Sequence, residues 1–186
     1  AIIKSAGIKL DGSGKPKNIL ITAASGGVGY YALQLAKLGN THVTATCGAS
    51  NIQLLISLGA DEVIDYKTPD GAALKRSSGK KYDAMIHCIV GIPWSPFEPN
   101  LTMNGKVIDI TPSSASMLKF ALKKLTFSKK QPVPLVAFPK GKDLQYVIDL
   151  VKVGKLKTVV DSKYPLTKAQ DAWTKYRWSC NREYNH

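Results

Sequence analysis

Residues 18–39 read Asn18-Ile19-Leu20-Ile21-Thr22-Ala23-Ala24-Ser25-Gly26-Gly27-Val28-Gly29-Tyr30-Tyr31-Ala32-Leu33-Gln34-Leu35-Ala36-Lys37-Leu38-Gly39, and this stretch decides the fold. The run 19–23 is short, aliphatic and partly β-branched, which predicts a buried strand. A small-residue turn follows. Residues 28–38 then carry apolar side chains at helical spacing until Gly39 stops them. Positions 18–36 hold no charge, yet they are not a membrane span. Thr22, Ser25, Gln34 and three glycines interrupt them, and the period changes midway, whereas a spanning helix is apolar throughout.

Working outward, the same alternation recurs. Strands are predicted at 42–47, 62–66, 83–88, 106–110 and 135–138, and helices at 51–58, 69–77 (weakened by Gly71) and 143–153. Asn104-Gly105 reads as a turn ahead of the fifth strand. Continuous apolar strands alternating with helices imply an α/β chain with a doubly wound parallel sheet covered on both faces. Residues 155–186 break the rhythm, with a strand expected at 156–160 and a helix at 168–176.

The chain has 186 residues, with 26 Lys and Arg against 13 Asp and Glu, a formal charge of +13. That excess predicts an anionic partner. Cys47, Cys88 and Cys180 are too scattered for a disulfide scaffold or a C-x-x-C metal site, and favour a reducing compartment. No secretory signal is legible at the N-terminus, so the chain is expected to be soluble and intracellular.

The turn Ala24-Ser25-Gly26-Gly27-Val28-Gly29 is a G-x-G-x-x-G pattern with alanine in first place. In such a loop the first small residue permits a tight turn, Gly26 admits a pyrophosphate to the backbone, and Gly29 lets helix and strand pack closely. The helix N-terminus supplies N–H groups and partial positive charge to the phosphates. A site for NAD places an acid about 20 residues beyond the loop. Between positions 40 and 60 there is none, and Thr46, Cys47, Gly48, Ser50 and Asn51 fill the region. That permits a 2′-phosphate and favours NADP(H), with Lys67 a nearby source of charge.

The segment 23–29, followed by Ala32, Leu35, Ala36, Lys37 and Gly39, resembles the medium-chain dehydrogenase/reductase superfamily. Leu58-Gly59-Ala60-Asp61, Val63-Ile64-Asp65-Tyr66, Thr44-Ala45-Thr46-Cys47-Gly48-Ala49, His87-Cys88, Gly91-Ile92-Pro93-Trp94 and the run 105–112 point to its zinc-free quinone oxidoreductase branch. The resemblance implies a Rossmann-type domain over 18–154. It makes 1–17 a connection from a catalytic domain lacking in this sequence, and 155–186 a partial return to it, irregular from Trp173. It also implies bound NADPH and metal-free hydride transfer to a quinone or an α,β-unsaturated carbonyl (enone). By motif, Gly26, Gly27, Val28 and Gly29 contact the pyrophosphate, with Ala24 and Ser25 also candidates for cofactor binding. Ser50, Asn51 and Tyr66 surround the adenosine 2′-phosphate, Thr46 is a further cofactor-binding candidate, and Cys88, Ile89 and Val90 line the ribose–nicotinamide side. No catalytic side chain is singled out. His87 and Cys88 alternate across a strand, cannot share a metal, and read as structure.

Residues 116–130 interleave Lys119, Lys123, Lys124, Lys129 and Lys130 with Met117, Leu118, Phe120, Leu122, Leu125 and Phe127. A basic amphipathic helix can lie on an anionic membrane, which suits the peripheral attachment to the chloroplast inner envelope that the resemblance implies. An ordinary surface helix explains the pattern equally well. Nucleic acid is disfavoured, since no recognised binding motif accompanies the lysines. A homodimer stays open. The alternative to an oxidoreductase is a catalytically incomplete nucleotide-binding or membrane-surface module.

Overall fold

The computed structural model describes residues 1–89, 93–112, 117, 129–135 and 140–184. The chain divides into two compact units, Ala1–Leu156 and Lys157–His186.

Among the described residues the first unit has six parallel strands: β1 (Lys17–Ile21), β2 (Thr41–Cys47), β3 (Glu62–Asp65), β4 (Tyr82–His87), β5 (Leu101–Asp109) and β6 (Gln131–Pro134), ordered 3-2-1-4-5-6. The order reverses between β1 and β4, so a crevice opens beyond their carboxyl ends. In register, Ile21 lies beside Ala45 of β2 and Ile86 of β4. Ile19, Leu20, Ile21, Val43, Ala45, Met85 and Ile86 are fully buried. Strands covered on both faces bury every residue rather than alternate ones.

Helix α2 (Gly27–Lys37) buries Gly29, Ala32, Leu33, Gln34 and Ala36. Its small residues bring the helix close to β1. Helices α3 (Ile52–Ser57) and α4 (Pro69–Ala72) link β2 to β3 and β3 to β4, and α5 (Gly141–Lys152) follows β6. The N-terminal residues also belong to this fold: α1 (Ile2–Ser5) contacts α2, and Ile3, Ala6 and Ile8 are buried. On the other flank, Leu20, Leu74, Tyr82, Met85, Phe97, Leu101 and Val107 form one buried cluster against which Trp94 packs.

Three expectations need correction. Asn104-Gly105 lies inside β5, not ahead of it. The pairing slips from Tyr82–Leu101 to Ala84–Lys106, so β5 bulges there. The sixth strand is Gln131–Pro134 and not 135–138, of which 136–138 lie outside the described residues. Pro132 and Pro134 argue against a strand in the sequence, but β6 is an edge strand, where a missing N–H is tolerated. Residues 156–160 form no strand. A strand persists by pairing, and none of the six pairs with it.

The second unit has a 3-10 turn (Leu166–Lys168) leading into α6 (Ala169–Tyr184). Lys175 and Asp161 form an exposed ion pair at 2.6 Å, and Trp173 meets Tyr176 edge-on. Among the described residues no helix is long and apolar enough to cross a membrane.

Candidate functional site

Three strand ends, those of β1, β2 and β4, are tied together by hydrogen bonds where the sheet order reverses. Leaving β1, Thr22 N–H donates to Ile86 O of β4 at 3.0 Å. Ala23 N–H and Ala24 N–H then turn toward β2, donating to Thr46 Oγ1 (3.3 Å) and Thr46 O (2.9 Å). Ala23 makes this corner with φ at 47°, a left-handed conformation that a small residue tolerates better than a bulky one. Gly26 N–H closes the turn on Ala23 O at 3.0 Å.

The glycines of the loop have separate tasks. A Cβ on Gly29 would stand 2.4 Å from Ala23 O and 2.7 Å from Ala24 Cα, so only glycine permits this contact between helix and turn. A Cβ on Gly27 would meet nothing within 4 Å and would project into open space. The N–H groups of Gly27, Val28 and Gly29 begin α2, whose first turn has no preceding carbonyls to bond. Gly27 and Val28 are exposed, Ser25 and Gly26 half-buried, and Ala24 fully buried. The result is an open helix N-terminus, rich in N–H donors and at the positive end of a helix dipole, suited to an anion.

Thr46 is buried with its hydroxyl turned to Ala23, so it holds the loop in place. Beyond β2, a 3-10 turn (Ala49–Asn51) leaves Ser50 exposed and Asn51 half-buried. Tyr66 N–H donates to Cys47 O at 3.1 Å, and the Tyr66 ring lies 3.6 Å from where a Cβ on Gly48 would sit. Lys67 Nζ stands 5.8 Å from the centroid of that ring, adding a cation to this rim. Burial, aided by the negative charge of Asp65, pushes the Cys47 thiol up to about 11, which keeps it neutral.

At the end of β4, Cys88 N–H donates to Thr22 Oγ1 at 3.1 Å, and the same hydroxyl lies 3.0 Å from His87 Nδ1. A hydroxyl has one proton; giving it to Nδ1 while accepting from Cys88 satisfies all three groups. Burial lowers the His87 pKa, against the pull of Asp109, and so favours this neutral imidazole. Its ring meets Phe97 edge-on with centroids 5.0 Å apart. Burial raises the Cys88 thiol to about 12, so it offers no thiolate. Ile89 is half-buried, and Val90 lies outside the described residues. The Thr22–His87–Cys88 relay escapes a reading by motif. Its one sequence signal is a pair of polar residues at the ends of two otherwise apolar strands.

Residues 58–178 match the zinc-binding dehydrogenase family. The chain belongs to that family. Its place in the medium-chain dehydrogenase/reductase superfamily is as expected from the glycine loop and the motifs after it. Two plant relatives are 66% identical over 175 residues: the chloroplast envelope quinone oxidoreductase homologue of Arabidopsis thaliana and the chloroplastic quinone-oxidoreductase homologue of Spinacia oleracea. In each case 94% of this chain aligns with 53% of the relative, so the chain spans about half the length of these curated relatives. The quinone oxidoreductase of Coxiella burnetii shares the fold, with a TM-score of 0.78 over 95% of this chain and 52% of its own, at 24% identity.

Members of this family use nicotinamide cofactors, and the open cradle at Gly27 with its helix N-terminus fits the phosphates of one. The zinc in the family's description has no matching donor set: no group of three His, Cys, Asp or Glu residues could hold a metal among the described residues.

Proposed function

We propose that residues 18–154 are the dinucleotide-binding domain of an NADPH-dependent reductase of quinones or enones, working without metal. The carrying observation is the loop 23–29 at the reversal of the strand order, with the Gly27 side open and the first-turn donors of α2 facing that space. NADPH, when bound, supplies a hydride from its nicotinamide ring. The chain's own residues bind and orient. Gly26, Gly27, Val28 and Gly29 take the pyrophosphate, while Ser50, Asn51 and Tyr66 surround the adenosine end. The Thr22–His87 pair fixes Cys88 and Ile89 beside the nicotinamide ribose.

Preference for NADPH follows from a rim without a carboxylate between positions 40 and 60 and with Lys67 over Tyr66. Calorimetric titration should show NADPH binding about tenfold or more tighter than NADH, a difference of ~1.4 kcal/mol or more. Equal affinities would remove the specificity claim, and binding of neither would remove the cofactor site.

The half-length match to the relatives favours a second reading, in which this chain alone binds NADPH without turning it over. Loss of nicotinamide absorbance in the presence of a small enone decides between the two. We place the protein, with its plant relatives, in the chloroplast, held peripherally on an anionic envelope surface by the lysines of 119–130, of which 119–128 lie outside the described residues. Sedimentation with anionic vesicles that fails to weaken as salt rises would remove that assignment.

A further inference from the structure

At the amino ends of β4 and β5, at the opposite edge of the sheet from the glycine loop, segments 72–81 and 95–100 wall a cleft of about 640 Å³. That volume lies within the range of small-ligand sites, ~300–1,000 Å³. The walls are held at fixed spacing. Asn100 Nδ2 donates to Ala73 O on one side (2.7 Å) and Pro96 O on the other (2.8 Å). Lys130 Nζ pins the second wall through Glu98 O at 2.7 Å. The first wall turns at Gly79, whose φ of +67° is the left-handed conformation glycine adopts freely.

The cleft is strongly cationic. Arg76 lines it while only 6% exposed, its guanidinium immobilised by Glu62 Oε2 (2.8 Å), Asn18 Oδ1 (2.8 Å) and the His42 ring (2.7 Å). Glu62 balances that one charge. Lys75, Lys80 and Lys81 also line the cleft, and none of them is in an ion pair among the described residues. Three lysines outside any ion pair among the described residues thus line one small volume. Pro96 and Pro99 supply an apolar surface on the opposite wall.

From this we infer that the cleft is a binding site for a small organic phosphate, separate from the cofactor loop. Its phosphate is held by Lys75, Lys80 and Lys81, and its apolar part rests on Pro96 and Pro99. A phosphate dianion presents several oxygens to several cations at once, whereas a monocarboxylate brings one charge. The preformed walls reduce the ordering cost of binding.

Phenyl phosphate, benzoate and phosphatidylglycerol vesicles, each added to the full 186-residue chain, test the assignment. Phenyl phosphate should bind with one-to-one saturation and more tightly than benzoate, including in the presence of saturating NADPH. Joint substitution Lys75→Ala, Lys80→Ala and Lys81→Ala should weaken it about tenfold or more. Joint substitution Lys140→Ala, Lys142→Ala and Lys152→Ala, which removes the same charge elsewhere, should leave it unchanged. Circular dichroism checks that both variants are folded. Equal losses in the two variants, displacement of phenyl phosphate by NADPH, parity with benzoate, or binding to the vesicles alone would each overturn the site. The last outcome would mean that a diffuse basic surface meets lipid headgroups.

Discussion

Gly27 and Gly29 sit two residues apart in one loop, yet their substitution by alanine should have opposite consequences. At Gly29 the new methyl collides with Ala23 O and Ala24 Cα, backbone atoms that move only if α2 lifts from β1. Gly29→Ala should cost about 1–3 kcal/mol in urea unfolding, the usual penalty of overpacking. Gly27→Ala meets nothing within 4 Å and removes a poor helix former. Its stability should stay level or rise by up to ~1 kcal/mol, while NADPH affinity falls because the methyl fills the approach to the first-turn donors. A Gly27→Ala protein that binds NADPH normally would show that the phosphates do not pass there. The motif announced both glycines, but only the packing separates a structural glycine from a ligand-facing one. His87 read as structure, but its pairing with Thr22 went unannounced because it depends on which strands become neighbours. Thr22→Val strands the Cys88 N–H and His87 Nδ1, and should cost about 1–3 kcal/mol, with Thr22→Ser recovering much of it. His87 also predicts a pH dependence. Its folded pKa lies below the ordinary 6.5, so the unfolded state takes up the proton first as pH falls. Stability contributed by the neutral ring is complete above pH 6.5 and is lost as pH falls from there toward the folded pKa. In His87→Asn the denaturation midpoint should change less over that window. An unaltered slope would mean that other groups set it.

Among the elements, the strands were legible where they are buried on both faces and illegible at the sheet's edge. β1 and β4 carry the apolar runs Ile19–Ile21 and Ala84–Ile86, and β2 is rich in β-branched Thr and Val, so composition marks them. β6 is Gln-Pro-Val-Pro, a sequence that argues against a strand until an outer position excuses the missing N–H groups. The Asn104-Gly105 pair does bend the chain, but it does so as a bulge within β5, a distinction settled by pairing with β4. Arg76 shows how a residue between elements can govern several of them. From the segment after α4 it bonds Glu62 of β3, Asn18 of β1 and His42 of β2, fastening three amino ends at once. Glu62 is buried enough to disfavour its charge, but hydrogen bonds from Ser77 and Arg76 outweigh this and hold its carboxyl below the ordinary value. Removing one partner leaves the other charge uncompensated, so Arg76→Met should cost about 3 kcal/mol or more. Arg76→Met combined with Glu62→Leu should cost less than Arg76→Met alone, a non-additivity measurable by a double-mutant cycle. Simple additivity would show that the guanidinium acts through its other partners.

On the scale of the whole chain, the candidate cofactor site and the basic cleft occupy opposite ends of one sheet, and both lie in the unit Ala1–Leu156. The +13 charge, which first suggested a single anionic partner, divides between places with different chemistry. The loop attracts phosphate mainly through N–H groups and a helix dipole. The cleft does so through the lysines of one short segment, Lys75, Lys80 and Lys81. A ligand bound only to the folded first unit stabilises that unit by mass action, by about 2.7 kcal/mol at a hundred times its dissociation constant. Amides that exchange only on unfolding of the unit should then slow about a hundredfold. Suitable reporters are Ile19, Leu20, Ile21, Ala45, Met85 and Ile86, all fully buried or nearly so in β1, β2 and β4. Residues 169–176 of α6 belong to the unit Lys157–His186 and make no part of the proposed cofactor site. Their exchange should be unchanged by NADPH. Hydrogen–deuterium exchange with and without NADPH measures both sets in one experiment. Slowing in α6 equal to that in β1 would show that the two units unfold as one, whereas no slowing in either would remove the cofactor from the loop.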